Sequence, residues 1–180
     1  MKKLLLFTLS IGCVFTMFSA AAQDMAKPKG KAKGPRPSPA DTVKQVTKKG
    51  VAIEVDYCQP GVKGRTVGKE IAPFDGKPWR TGANEETTIS FSKDVKLEGK
   101  ELPAGKYSLW TIPGEKEWVI IINKRTTDWG TDYKPDNDVF RVTVETEKAP
   151  AFTERLKFDI DKSGKVSFVW GDYRVAFKVK

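Results

Sequence analysis

From residue 51 onward, apolar side chains recur at every second position. Val51, Ile53, Val55 and Tyr57 alternate with Ala52, Glu54 and Asp56, and Phe140, Val142 and Val144 with Arg141, Thr143 and Glu145. Leu156, Phe158 and Ile160 alternate with Lys157, Asp159 and Asp161, and Tyr173, Val175 and Phe177 with Arg174, Ala176 and Lys178. Successive side chains of a strand point to opposite faces, so these runs read as strands with one face on a core and one in water. Trp118 to Ile122 is apolar at every position and suits a central strand. Glu98-Gly99, Pro103-Ala104-Gly105, Pro113-Gly114, Ser163-Gly164 and Gly171-Asp172 supply the turns between runs. No stretch of the domain keeps a helical period. The pattern predicts an all-β chain, an antiparallel β-sandwich or jelly-roll-like single domain spanning residues 41–180.

The amino-terminal part reads differently. Met1-Lys2-Lys3 is a short basic start, Leu4 to Phe18 is nearly all apolar, and Ala20-Ala21-Ala22 offers the small residues of a cleavage site. Residues 1–22 therefore read as a signal peptide, and the mature chain is expected to be secreted or periplasmic with no transmembrane segment. Cys13 is followed by Val14-Phe15-Thr16-Met17-Phe18 rather than a polar tether, which argues against lipidation and leaves Cys58 alone after cleavage. A lone cysteine forms no intramolecular disulfide, so the fold has to stand on its core. Residues 23–40 are rich in Lys, Gly and Pro with no apolar period, and read as a disordered basic linker. That segment carries much of the formal charge of +9, of which Lys2 and Lys3 contribute two. Such a balance attracts anionic partners, and export disfavours nucleic acid as one of them.

Between two good strands lies a long stretch with little strand pattern, Cys58 to Glu86. It contains Tyr57-Cys58-Gln59-Pro60-Gly61-Val62-Lys63-Gly64-Arg65 and then Trp79-Arg80-Thr81-Gly82-Ala83-Asn84-Glu85. Further on stands Leu102-Pro103-Ala104-Gly105-Lys106-Tyr107-Ser108-Leu109. In these three elements the chain resembles a family of secreted bacterial proteins catalogued as domain of unknown function 2911. The resemblance covers essentially the whole folded domain and implies export and a β-rich fold, with no established activity. Where members often have arginine before the first proline, this chain has Gln59.

The residues of the long loop suggest their own chemistry. Lys63, Arg65, Trp79, Arg80, Asn84 and Glu85 share a glycine-punctuated segment. A guanidinium can grip a carboxylate, sulfate or phosphate with two parallel hydrogen bonds, an indole can stack on a sugar, and glycines let backbone amides approach an anion. The expected ligand is an anionic small molecule or glycan. The structural alternative is that Trp79 plugs the end of the sandwich, while Arg80 and Glu85 pair with each other or with the backbone.

Other chemistries fare worse. The sequence has no histidine, which excludes a Ser-His-Asp site, deprives Cys58 of its usual base and removes most transition-metal sites. Glu54 and Asp56 on the same strand face would raise the Cys58 pKa. Asp128, Asp132, Asp136 and Asp138 match no defined calcium loop and are interrupted by Lys134. Asp75, Glu85 and Glu86 are the acids available for glycosidase chemistry. Trp110, Trp118 and Trp170 lie in strand patterns and read as core. No cofactor and no metal is expected, and catalytic residues are not assigned. The function the residues favour is a non-catalytic, exported binding or envelope-associated module, with a glycan hydrolase using loop carboxylates as the alternative.

Overall fold

The alternation becomes strand as expected. The computed structural model describes residues 36–126 and 131–180. Among the described residues nine strands follow in chain order: β1 (Ala40–Val46), β2 (Ala52–Cys58), β3 (Thr88–Phe91), β4 (Val95–Leu97), β5 (Lys100–Leu102), β6 (Gly105–Ile112), β7 (Glu117–Asn123), β8 (Asp138–Ile160) and β9 (Lys165–Lys178). A 3-10 turn at Pro135–Asn137 precedes β8. Seven strands form one sheet in the order β1-β2-β3-β6-β7-β8-β9, and β4-β5 is a separate hairpin. Every strand pair is antiparallel.

The sheet curls so that its two ends meet. The first part of β8 pairs with β7 and the later part with β9. The free edge of that later part then reaches the chain just beyond β2: Val62 N donates to Glu154 O at 2.8 Å, and Leu156 N to Pro60 O at 3.1 Å. At the other end of β9, Lys96 and Lys180 exchange backbone hydrogen bonds of 2.7 and 2.9 Å, which attach the β4-β5 hairpin. Inside the curl lie Ile53 and Val55 of β2, Ile89 of β3, Leu109 of β6, and Ile120 and Ile122 of β7, all at 0% exposure. Burying each such side chain contributes roughly 1.5–3 kcal/mol relative to leaving it in water. Leu156, Phe158, Phe168, Val175 and Phe177 close the core from β8 and β9.

A line of rings crosses this core. Tyr57 meets Phe158 at 4.7 Å, Phe158 meets Phe168 at 5.1 Å, Phe168 meets Trp118 at 5.3 Å, and Trp118 meets Trp79 at 6.1 Å. Trp79 finally stacks on Trp170, with ring centres 5.3 Å apart and planes within 6°. Offset and edge-on ring pairs of this kind add about 0.5–1.5 kcal/mol each beyond their burial. The Tyr57 hydroxyl accepts the Phe158 amide at 3.1 Å and donates to Asp41 Oδ2 at 2.8 Å, tying β2 to β8 and β1.

Three expectations change. The runs at 140–145 and 156–161 belong to one bent strand, β8, whose pairing with β9 shifts register between Lys148 and Thr153 and again before Lys157. Gly171-Asp172 is not a turn between strands. It lies within β9, opposite that bulged part of β8, where Gly171 takes φ +58° and Thr153 pairs with it. A bulge adds a residue to one strand and bends the pair, which is how two strands can follow the curl. Residues 36–39, counted with the linker from composition, carry bonds to the domain. Arg155 Nη1 donates to Pro37 O at 3.0 Å, Asn84 Nδ2 to Ser38 O at 3.0 Å, and Gln59 N to Pro39 O at 2.9 Å. The signal peptide, the linker up to residue 35, Asp128 and Trp129 lie outside the described residues.

Candidate functional site

The loop joining β2 to β3 occupies the end of the curl where β8 meets the chain beyond β2. Of the five non-glycine residues with positive φ among the described residues, four fall in it: Lys63 (49°), Ala72 (44°), Thr81 (53°) and Asn84 (57°). Asparagine adopts this conformation readily, whereas a β-branched threonine does not. Such strain persists only where surrounding bonds over-determine it, and it concentrates at binding and catalytic sites. For Thr81 those bonds are visible. Its Oγ1 lies 3.0 Å from Thr111 Oγ1, its carbonyl accepts Thr87 Oγ1 at 3.1 Å, and all three threonines are fully buried. Next to it, a Cβ on Gly82 would stand 2.6 Å from Thr87 Oγ1, so only glycine fits. Trp79 is pinned to β6 by paired backbone bonds with Thr111 of 2.6 and 2.9 Å.

This clasp borders an open, solvent-facing cavity of about 500 Å³. Arg65, Trp79, Arg80 and Asn84 line it, joined by Trp170 and by the apolar Ile71 and Ala72. Arg65 Nε donates to Val62 O at 3.0 Å and Nη2 to Gly61 O at 2.8 Å. Arg80 Nη1 donates to Asn84 O at 3.0 Å. Each guanidinium has five N–H donors, so these carbonyls fix the two side chains and leave further donors open. Neither arginine has a carboxylate within salt-bridge distance among the described residues. The Trp170 indole N–H is buried without an acceptor among the described residues. Trp79 has one face against Trp170 and meets Trp118 edge to face, so it forms a wall rather than an open stacking surface.

The structure thus brings together four of the six residues expected here and leaves two outside. Lys63 is exposed; its amide donates to Glu154 Oε1 at 2.9 Å, and its side chain runs past Gly61. Glu85 turns to the Arg36 guanidinium and to the Cys58 thiol, whose Sγ lies 3.2 Å from Oε2. Its own backbone amide, then that thiol and Arg36, hold the Glu85 carboxyl below its ordinary range. Arg80 and Glu85 do not pair with each other. Burial first, and Glu85 second, push the Cys58 thiol up, so the direction expected for this cysteine holds while its charged neighbour is Glu85 rather than Glu54 or Asp56. Asp75 caps the Lys77 amide at 3.1 Å and pairs with its ammonium at 3.2 Å. Asp75, Glu85 and Glu86 are all absent from the cavity lining. Gln59 donates to Asp41 at 2.9 Å, on the β1 side of the loop.

Sequence reasoning missed Ile71, Ala72 and the part Trp170 plays. Trp170 belongs to the alternation of Val166 and Phe168, and nothing in that pattern distinguishes a core ring from one that also walls a cavity. Asp132 and Asp138 serve structure. Asp132 pairs with Arg125 and Lys134, and Asp138 binds Asn123, Tyr133 and Arg141. Among the described residues no three acidic or cysteine side chains group as metal ligands would.

The molecule is thus an all-β protein of a curled seven-stranded antiparallel sheet and a two-stranded hairpin, with a cationic, aromatic-walled cavity at one end. The chain belongs to the family described as Protein of unknown function (DUF2911), whose model matches residues 38–179. No curated protein matches the chain, and no solved structure does.

Proposed function

We propose that this protein is an exported, non-catalytic binding module that holds a small anionic ligand in the cavity between Arg65 and Arg80. One observation carries the reading: two guanidiniums, Arg65 held by two backbone carbonyls and Arg80 by one, and neither paired with a described carboxylate, line the same cavity. Fixed charges facing a cavity strengthen their attraction for an oxyanion and lose little entropy on binding it. The volume of about 500 Å³ suits a ligand the size of an acidic monosaccharide or a comparable carboxylate, sulfate or phosphate ester. Ile71, Ala72 and the tryptophan edges supply its apolar wall. The signal-like amino terminus supports export. The hydrolase alternative draws less support, because the loop acids put forward for it sit outside the lining.

Thermal melting against a panel of uronic acids, sugar phosphates and their neutral parents tests the reading. A ligand that binds only the folded state raises Tm by mass action. Acidic members should raise Tm, neutral parents should not, and Arg80→Ala should abolish the shift. Equal shifts from neutral and acidic sugars, or none from any member, would refute it. Release of reducing sugar from an oligouronate or neutral oligosaccharide incubated with the protein would favour the hydrolase.

A further inference from the structure

The end of the sheet away from this loop carries a second feature, and its chemistry is different. Residues 47–51 precede β2 and residues 92–94 follow β3, so this end lies one strand length, roughly 20 Å, from the cavity just described. The β1–β2 turn, the start of β4, the β8–β9 turn and the chain beyond β9 meet there around two hollows of about 640 and 230 Å³. Lys49 and Lys180 line both, so the two hollows adjoin and are treated together as the lobes of a groove.

The floor of the groove is apolar. Val51 and Val179 underlie the smaller lobe, and Val95 and Leu102 the larger, all of them buried. The rim is cationic: Lys48, Lys49 and Lys162 stand with Lys180 and Lys96. Only Lys96 has a carboxylate within salt-bridge distance among the described residues, the exposed Glu101 at 3.4 Å. Asp94 and Glu101 also line the larger lobe, so lysines outnumber the lining acids without excluding them. Asp94 accepts the Ala104 amide at 2.8 Å, and Asp161 accepts the Ser163 and Lys165 amides at 2.7 and 3.0 Å. Lys93 adds another ammonium over the β1–β2 turn, its Nζ within 3.4 Å of the point where a Cβ on Gly50 would lie.

We propose that this groove binds a single-chain anionic amphiphile, the alkyl chain along the valine and leucine floor and the head group among Lys48, Lys49, Lys162 and Lys180. An excess of lysines over carboxylates around the groove favours an anionic partner, and an apolar floor favours a hydrocarbon one. The two together select a molecule that is both. The floor residues are recessed, so a flat anionic bilayer would meet the lysines and miss the floor, whereas a free alkyl chain can enter. The lysine stems can cover such a chain while their ammoniums stay at its head group.

Decanoate and decyl phosphate, kept below micelle concentrations, are the probes. Calorimetric titration of the purified protein should show saturable binding that weakens about threefold for each methylene removed, a little under the value for full burial. Decanol, which lacks the charge, should bind at least tenfold more weakly. The double variant Lys49→Glu with Lys180→Glu should weaken decanoate by tenfold or more while its circular dichroism spectrum stays that of the parent. Amide chemical shifts should move at residues 47–51, 93–96, 162–164 and 178–180. Binding of acetate as tight as decanoate, shifts confined to residues 60–84, indifference to the charge reversal, or association with anionic vesicles without binding of monomeric decanoate would each overturn the proposal.

Discussion

Removing the Trp79 indole should destabilise the domain by about 3 kcal/mol. Trp79 is half-buried, stacks on Trp170 at 5.3 Å and meets Trp118 at 6.1 Å and 75°. Truncating a fully buried aromatic to alanine costs about 3–5 kcal/mol, and partial burial brings the transfer and cavity share here down to about 2 kcal/mol. The two ring pairs then restore roughly 0.5–1 kcal/mol each. For a domain of this size each kcal/mol moves Tm by about 3 °C, so Trp79→Ala should melt roughly 10 °C lower. Trp79→Phe keeps a ring against Trp170 and should lose about half as much. The backbone bonds between Trp79 and Thr111 do not involve the side chain, so the comparison isolates the ring. Scanning calorimetry gives the stabilities. A Trp79→Ala protein within about 1 kcal/mol of its parent would refute the reasoning, because the ring would then be a solvent-facing platform and not the wall that shapes the cavity.

Three further outcomes follow from the same geometry. Gly68 sits at φ +90°, and an added Cβ would stand 2.4 Å from the Phe74 ring, so Gly68→Ala should cost about 2 kcal/mol in a denaturant titration; an unchanged midpoint would contradict the packing described. Burial alone would raise the Asp56 pKa, but hydrogen bonds from Lys106 and Thr42, and then Thr88, outweigh it and hold the group below its usual value. A lowered folded pKa means stability that is present above the unfolded value of about 3.9 and is lost as pH falls through the folded one, so Asp56→Asn should flatten the acid limb of a Tm-against-pH curve, and a limb of unchanged slope would argue against it. Cys58 is buried with its thiol pushed up by that burial and by Glu85, so thiol-specific reagents should label the native protein far more slowly than the unfolded chain near neutral pH; fast native labelling would mean an accessible thiolate instead.

Much of this architecture could be read from the chain because one face of each long strand is buried. Ile53, Val55 and Tyr57 point inward while Glu54 and Asp56 pair outward with Lys44 and Lys106, and that split is the alternation itself. β1 was less legible. It is an edge strand whose seven residues are all exposed or half-exposed, so no apolar period marks it. β3, β4 and β5 span only four, three and three residues, too short for a period to declare itself. The bend of β8 was hidden because a bulge interrupts the pairing and not the composition, so one strand read as two.

At the cavity, glycine spacing and clustered arginines pointed to Arg65, Trp79, Arg80 and Asn84. Which side of the loop each side chain takes depends on bonds made far along the chain. Glu85 is turned away by Arg36, 49 residues distant, and the Lys63 amide is held by Glu154, 91 residues distant. No local pattern records pairings of that range.

The central claim is that Arg65 and Arg80 form an anion site, and isothermal titration with a hexuronic acid and its neutral hexose tests it most directly. Charge-assisted hydrogen bonds contribute about 1.5–3 kcal/mol each, so replacing either arginine with glutamine should weaken uronate binding roughly 10- to 100-fold. The account predicts saturable uronate binding at one site, no detectable binding of the hexose, and that loss in both Arg65→Gln and Arg80→Gln. Uronate binding that survives both substitutions, or hexose binding of equal strength, would contradict it.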